Sequence, residues 1–350
     1  NCPKVLTQTI IFSCLSTPIL LILIPVGRWV LATAGLSAGE MAQAQTYLTI
    51  LMAGNALDLF RQSFNGYFGG LGKTRVVLLS TFAMAIANVC ANYILIFGKL
   101  GFPAMGIMGA GYGTLFAWFV GLITLCVVYF KQIQSPEYQL LQSFQLDIEI
   151  LKKLVRFGLA SGLRITLLIF AIDLTILAFQ SYGVEVSTAI TVIFTWFQTL
   201  FIPVIGLEIG TMSLAGRFVG ARDLDSASDS VFSGLFLASA YALILSLACL
   251  AVTPAMVELF LEPDSSVATR DLAIWGTQLN AFLMFILAWA SILGGALRGA
   301  GDTYGVMFIS AGFWWLQYAL VVILIHMFGL HPDDVLTIHV LSSPLLLVAM

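Results

Sequence analysis

The residues of this sequence that could carry chemistry are ionisable side chains inside long apolar stretches. A charged group within a bilayer costs about 3 kcal/mol even on insertion scales, so each such group is a candidate for function. Asp173 lies two thirds of the way along one apolar stretch. Because a buried carboxylate can bind a proton or a metal cation reversibly, Asp173 is the first candidate for ion binding. The alternative is a residue at the outer mouth that only meets water.

A second set of polar residues lies in the first part of the chain. Asp58 and Arg61 are three residues apart and therefore share a helix face, as do Asn88 and Asn92, four apart. Asp58 is the second ion-binding candidate, and the other three are predicted to support it, with Asn88 in contact with its carboxylate. The alternative is a self-neutralising ion pair and an asparagine pair that only hold helices together.

Four further residues are candidates for a gate or for substrate binding: Arg164, Glu208, Gln198 and Trp196. Arg164 precedes Asp173 by nine residues, which is 900° of helical turn, so the two are predicted to face opposite ways and not to pair. It could bind an anion or extend toward the membrane surface. Glu208 is predicted to pair with a basic residue at an inner gate, with substrate binding as the alternative. Trp196 could stack on a flat cation or simply face lipid.

The composition is that of a polytopic membrane protein. Hydrophobic residues make up 60% of the chain and charged residues 9%, against about a quarter charged in soluble domains. Ten apolar stretches are each long enough to cross a bilayer as a helix. They cover residues 5–31, 43–68, 75–98, 105–131, 154–182, 187–209, 226–252, 270–296, 304–328 and 334–350. The net charge of −3 gives no indication of a nucleic-acid partner, and no cluster has the spacing of a metal site.

A short string occurs twice and indicates an internal repeat. Residues 70–74 read Gly-Leu-Gly-Lys-Thr, and residues 299–303, which lie 229 positions later, read Gly-Ala-Gly-Asp-Thr. The same offset aligns Pro25 with Pro254, and each proline is predicted to end an apolar segment. Repeats of several membrane helices are typical of the two halves of a transporter. The register predicts twelve helices, of which the first two and part of the last lie outside this sequence.

The fold predicted from these observations is all-α, with two six-helix bundles related by an axis along the membrane normal and ten helices visible here. Residues 1–131 form the N-terminal bundle, the polar stretch 132–153 a cytoplasmic linker, and residues 154–350 the C-terminal bundle. Ten lysines and arginines fall on one side of the alternating loops and three on the other. The positive-inside rule places the ten-residue side, the linker and both termini of the intact protein in the cytoplasm.

Several segments resemble the multidrug and toxic compound extrusion (MATE) transporters, in particular their bacterial NorM-like branch. They read Gly-Leu-Gly-Lys-Thr-Arg at 70–75, Val-Arg-Phe-Gly-Leu-Ala-Ser-Gly at 155–162, Gly-Arg-Phe-Val-Gly-Ala-Arg-Asp at 216–223 and Leu-Arg-Gly-Ala-Gly-Asp-Thr at 297–303. The segments 88–98 and 102–111 resemble the first half of the family as well. Many members carry acids near Leu168 and Leu287 and a proline at Ala160, and this chain departs from that pattern.

The resemblance implies two bundles that rock about a central cleft and export organic cations or other small amphipathic compounds in exchange for protons or sodium ions. It implies no cofactor besides the coupling ion, no ATP, and no partners besides the small-molecule substrate and membrane lipids. The protein is then a multi-pass monomer of the bacterial inner membrane. The alternatives are a lipid-linked glycan flippase of related architecture and, in another class, a membrane-embedded enzyme, for which no motif is present.

Overall fold

The computed structural model describes residues 2–32, 37–131, 146–261 and 265–349, and these ranges are helical, with no β-strand among them. The all-α class predicted from the composition is confirmed. The helices are α1 (Cys2–Ala32), α2 (Ala38–Gly70), α3 (Thr74–Phe97), α4 (Ile107–Lys131), α5 (Ile148–Phe179), α6 (Val184–Gly220), α7 (Leu224–Glu258), α8 (Val267–Ala300), α9 (Thr303–His326), α10 (Pro332–Leu341) and α11 (Pro344–Ala349).

Each of the ten predicted spans coincides with helical residues, but two of them differ from the prediction. Within the described ranges, nine segments are long and apolar enough to cross a bilayer, and α2 is not among them. Glu40, Asp58 and Arg61, together with several amide side chains, lower the hydropathy of α2. The predicted span 334–350 corresponds to Pro332–Ala349, one of the nine, but it is broken between α10 and α11, where Pro344 has no backbone N–H to continue the first helix.

The prolines at 25 and 254 do not end their helices, contrary to the prediction. Pro25 lies inside α1, which continues to Ala32, and Pro254 lies inside α7, which continues to Glu258. Membrane helices tolerate proline because neighbouring groups bond the backbone atoms that it leaves free. The two prolines that the repeat aligns, at 25 and 254, therefore lie within helices and do not mark helix ends.

Three loops between helices share one backbone geometry. Lys73, Asp223 and Asp302 each stand just before a new helix, and each donates its N–H to the carbonyl five residues earlier at 2.9 Å. The residue before each of them has a positive φ, and it is glycine at 72 and 301 but arginine at 222. Six-to-one bonds of this kind close a helix through a left-handed residue. The string found twice in the sequence therefore belongs to a loop that occurs three times in the described part of the chain.

The aspartates of two of these loops cap the helices that follow. The Asp223 carboxylate accepts from the Ser226 N–H at 3.1 Å, and Asp302 accepts from the Gly305 N–H at 2.8 Å. Hydrogen bonds from the side chain and the backbone N–H of Ser226 lower the pKa of the exposed Asp223, which lies between two spans. Such caps satisfy backbone donors that a helix start leaves free.

The described residues fall into two compact units, with the boundary between Val155 and Arg156, inside the first turns of α5. Of the predicted linker 132–153, residues 132–145 lie outside the described ranges, and residues 148–153 already belong to α5. In the first unit α2 packs against α1 and α4, and α3 packs against α4.

In the second unit, close backbone contact joins α6 to α8. A Cβ atom added at Gly299 would lie 2.3 Å from the carbonyl oxygen of Met212, and one at Gly216 would lie 2.9 Å from the carbonyl oxygen of Gly299. Small residues allow such approach in lipid, where no hydrophobic force drives helices together. The position of every side chain between α6 and α8 therefore depends on these glycines.

We expect Gly299→Ala to lower the stability of the second unit by about 1–3 kcal/mol, because the added methyl group meets backbone atoms that cannot move aside. Thermal unfolding of the detergent-purified protein measures the change. Gly162→Ala on α5 is the matched control, since a Cβ there meets nothing within 4 Å. Equal melting temperatures for the two variants would contradict the close contact.

We expect Arg222→Gly to raise stability by about 0.5 kcal/mol, because the left-handed conformation at φ 60° is strained for a residue with a side chain. Ala221→Gly, one residue earlier, should instead lower it, since Ala221 has right-handed helical angles. The unfolding midpoints of both variants are compared with that of the unchanged protein. A shift in the same direction for both variants would refute the left-handed conformation assigned to residue 222.

Candidate functional site

A cavity of about 820 Å³ lies within the second unit, between α5, α6, α8 and α9, with one residue of α11. Four of the residues singled out in the sequence line it: Arg164, Asp173, Gln198 and Glu208. Most of the remaining wall is apolar or aromatic, including Leu168, Ile172, Phe197, Phe201, Leu287 and Trp314. The volume falls in the range of sites for drug-sized molecules, which are lined in the same way.

The part of the wall that α5 supplies is a stripe of branched side chains flanked by two charges. Ile165, Leu168, Ile169 and Ile172 follow the spacing of one helix face. Arg164 stands at one edge of that face and Asp173 at the other, half a turn apart. Among the described residues Arg164 and Asp173 form no ion pair with each other, as expected from their spacing. The opposite orientation does not separate them, however, because both side chains reach the same cavity.

Glu208 is the centre of a charged cluster at one end of the cavity. Its Oε1 accepts from the guanidinium of Arg298, its Oε2 accepts from the hydroxyl of Ser291, and the Arg164 Nη2 lies 3.7 Å from Oε1. Glu208 is only 7% exposed. A buried carboxylate needs compensating charge and hydrogen bonds, so Glu208 has the basic partner that the sequence led us to expect, and a second one beside it.

Sequence reasoning missed Ser291 and treated Arg298 only as a basic loop residue. Both belong to α8, where Ser291, Gly295 and Arg298 recur at helical spacing on one face. A Cβ at Gly295 would lie 2.8 Å from the backbone oxygen of Glu208, so the glycine lets α6 approach this face. The spacing of a serine, a glycine and an arginine on one apolar helix was the signal that could have identified the partners of Glu208.

Asp173 differs from Glu208 because it has no partner among the residues whose positions are described. It is exposed to the cavity, and it makes no hydrogen bond or ion pair with another residue in the ranges that the structure describes. Gln198 is likewise exposed on the cavity wall. Leu168 and Leu287, where the resemblance would have supplied acids, also line this cavity. Asp173 and Glu208 are therefore the carboxylates of the cavity wall, and Asp173 is the one available to bind an ion.

Trp196 does not line this cavity. Its indole N–H donates to the carbonyl of Met256 at 3.1 Å, and its ring packs edge to face on Phe260, with centroids 5.3 Å apart. The tryptophan thus connects α6 to the end of α7. The interpretation as a stacking surface for substrate is not supported by this position.

The candidates of the first unit form two separate pairs. The Arg61 guanidinium bonds the Asp58 carboxylate at 2.6 and 2.7 Å, and the Asn92 amide donates to the Asn88 oxygen at 3.1 Å. The predicted contact between Asn88 and Asp58 is wrong for the described residues, because each side chain bonds within its own helix. The extent of packing explains this difference, since α2 has only a small contact with α3.

Comparison with known proteins agrees with the fold and with the sequence motifs. The MatE family model matches residues 163–323. The chain is 26% identical over 301 residues to the uncharacterized transporter YisQ of Bacillus subtilis (strain 168), covering 85% of this chain and 64% of that protein. It is 28% identical over 276 residues to a probable multidrug resistance protein NorM of Mannheimia succiniciproducens, covering 77% of this chain and 58% of that protein. It therefore spans about three fifths of these relatives.

Solved structures of MATE proteins have the same fold. The crystal structure of MATE in complex with MaL6 superimposes with a TM-score of 0.90 at 20% identity, covering 99% of this chain and 77% of that one. The outward-facing conformation of a multidrug resistance MATE family transporter superimposes with a TM-score of 0.90 at 18% identity, covering 99% of this chain and 76% of that one. The chain is thus similar to MATE transporters in sequence and in fold, and the proteins that it resembles are membrane transporters and not enzymes.

We expect Glu208→Gln to lower the apparent stability of the second unit by about 3 kcal/mol, because it leaves two guanidinium groups near each other without a compensating charge. Thermal unfolding in detergent measures the loss. Glu258→Gln, at the exposed end of α7, is the control and should change the melting temperature little. Equal melting temperatures for the two variants would show that the negative charge of Glu208 does not stabilise the packing of α6 against α8.

Proposed function

We propose that the protein is a secondary active antiporter that exports small amphipathic compounds, organic cations among them, in exchange for protons or sodium ions. The observation that carries this proposal is the cavity of the second unit. Its volume of about 820 Å³ suits a drug-sized compound, and its apolar wall contains the carboxylate of Asp173, which has no partner among the described residues. Similarity to MATE transporters supports transport as the activity, and curated relatives named as probable multidrug resistance proteins support this class of substrate.

Asp173 is our candidate for the coupling residue. A coupling site must bind a cation and release it again. A carboxylate that is paired with an arginine is already bound to a cationic group, so it is a poorer candidate. Asp58 is paired with Arg61, and Glu208 with Arg298, whereas Asp173 lines the cavity without a hydrogen-bond or ion-pair partner among the described residues. A proton or sodium ion bound to Asp173 would shift the population toward the conformation that releases substrate.

The same proposal extends to the surroundings of the protein. It functions as a monomer in the bacterial inner membrane, in contact with lipid, without a nucleic-acid partner and without a bound cofactor apart from the transported ion. The distribution of basic loop residues supports a cytoplasmic location for the linker and for both termini of the intact protein. The bacterial origin of the curated relatives supports the choice of membrane.

Transport into inverted vesicles that contain the whole protein tests the proposal. We expect a fluorescent organic cation to accumulate when either a proton gradient or a sodium gradient, imposed separately, is present. Asp173→Asn should reduce this uptake at least tenfold, because the amide has no charge that the coupling ion can neutralise. Dye binding in the absence of a gradient should persist.

The control is Glu149→Gln, which removes a carboxylate from the exposed start of the same helix. Uptake by this variant should equal that of the unchanged protein. Uptake that survives Asp173→Asn would assign coupling to another acid, of which Asp58 is the next to test. If correctly inserted protein takes up no cation under either gradient, cation export is refuted.

A further inference from the structure

The charges around Glu208 do not balance. Two guanidinium groups, those of Arg164 and Arg298, face a single carboxylate. Both oxygens of that carboxylate are already occupied, one by Arg298 and the other by Ser291. Arg298 is further satisfied by a bond from its Nε to the carbonyl of Gly294 at 3.2 Å. Among the described residues, two positive charges at this end of the cavity therefore share one negative charge.

Arg164 is the arginine that shares the charge of Glu208 without a hydrogen bond to it. Its Nη2 lies 3.7 Å from the Glu208 oxygen, which is beyond hydrogen-bond length. Its Nε is buried and has no hydrogen-bond partner among the described residues. The side chain lines the cavity and remains 16% exposed. Arg164 is thus a cation with unused donors at the surface of an apolar cavity.

Such a group selects its ligand by charge and by shape. The guanidinium is planar and presents paired donors that match the oxygens of a carboxylate, so a bidentate contact is available. Water, the competing partner, is less available beside the branched side chains of Ile165 and Leu168, which adjoin Arg164 on the cavity wall. The same charge repels a cationic group that approaches this end.

We infer that Arg164 binds an anionic group of the transported compound, and that the substrates include amphipathic aromatic compounds that carry a carboxylate or a sulfonate. The inference rests on the proposed transport function and specifies the substrate class of the same cavity. Arg164 and Asp173 are nine residues apart on α5, about 13 Å along its axis. The anionic group and the coupling ion therefore occupy different positions and do not displace each other directly.

Binding of two matched probes to the detergent-purified whole protein tests the inference. Dansylglycine carries a carboxylate on an aromatic body, and its amide, dansylglycinamide, differs only by lacking the charge. The fluorescence of either rises when the ring enters an apolar cavity. We expect the carboxylate to bind about tenfold more tightly than the amide, as a charge-assisted hydrogen bond would give.

Substitutions at Arg164 separate a direct contact from a structural effect. Arg164→Gln should abolish the preference for the carboxylate and leave the affinity for the amide unchanged, while Arg164→Lys should restore part of the preference. Leu168→Glu, one helical turn further, should occupy the guanidinium and abolish the preference with Arg164 in place. The control is Arg156→Gln, the same change on the same helix outside the cavity, which should retain the full preference.

Equal affinity of the unchanged protein for the two probes would overturn the inference, as would a preference that survives Arg164→Gln. Tight binding of a long-chain phosphate lipid together with no binding of dansylglycine would overturn it as well, in favour of a lipid substrate. The measurement requires no gradient, so it is independent of coupling. A carboxylate preference without gradient-driven transport would reject the antiporter and keep the anion site, and the reverse result would reject the anion site alone.

Discussion

The close approach of α6 to α8 is the constraint on which the site in the second unit depends. In lipid, helix association depends on backbone proximity and on polar contacts between helices, because the surroundings are as apolar as the side chains. Gly216, Gly295 and Gly299 supply that proximity. Only at this separation can Glu208 of one helix bond Ser291 and Arg298 of the other. The ion cluster and the glycine contacts are therefore two parts of a single interface.

The polar residues of the two units differ in how they are satisfied. Asp58 and Arg61 neutralise each other within one helix turn, so their charge cost is compensated locally. Glu208 is compensated by residues from other helices, which makes its surroundings sensitive to helix position. Asp173 is not compensated by any described residue, and it is exposed to the cavity. These three situations correspond to a structural pair, a tie between helices and a group available to a ligand.

Much of the fold could be predicted from the sequence, because long apolar stretches in a bilayer have few structural alternatives to helices. The repeated glycine strings also located two of the three equivalent loops. The third escaped detection because Arg222 occupies the left-handed position that glycine fills in the others. The break before Pro344 was missed because two serines followed by a proline lower the mean hydropathy of an apolar run very little.

The candidate site was predictable only in part, and the limit was distance along the chain. Asp173, Arg164 and Glu208 could be identified as costly residues within spans. The pairing of Glu208 with Arg298 spans 90 positions and depends on helix contacts that no local pattern contains. The expected contact between Asn88 and Asp58 failed for the same reason, because similar depth in the membrane does not establish that two helices are neighbours.

The placement of Arg164 and Asp173 on opposite edges of one apolar stripe has a geometrical consequence for α5. A roll of this helix about its own axis would carry one charge toward the centre of the cavity and withdraw the other by the same angle. A single rigid motion would then expose a positive charge at one end of the cavity while it withdraws a negative charge at the other, or the reverse. One helix could in this way alternate between presenting a cation and presenting an anion without any change in its own conformation.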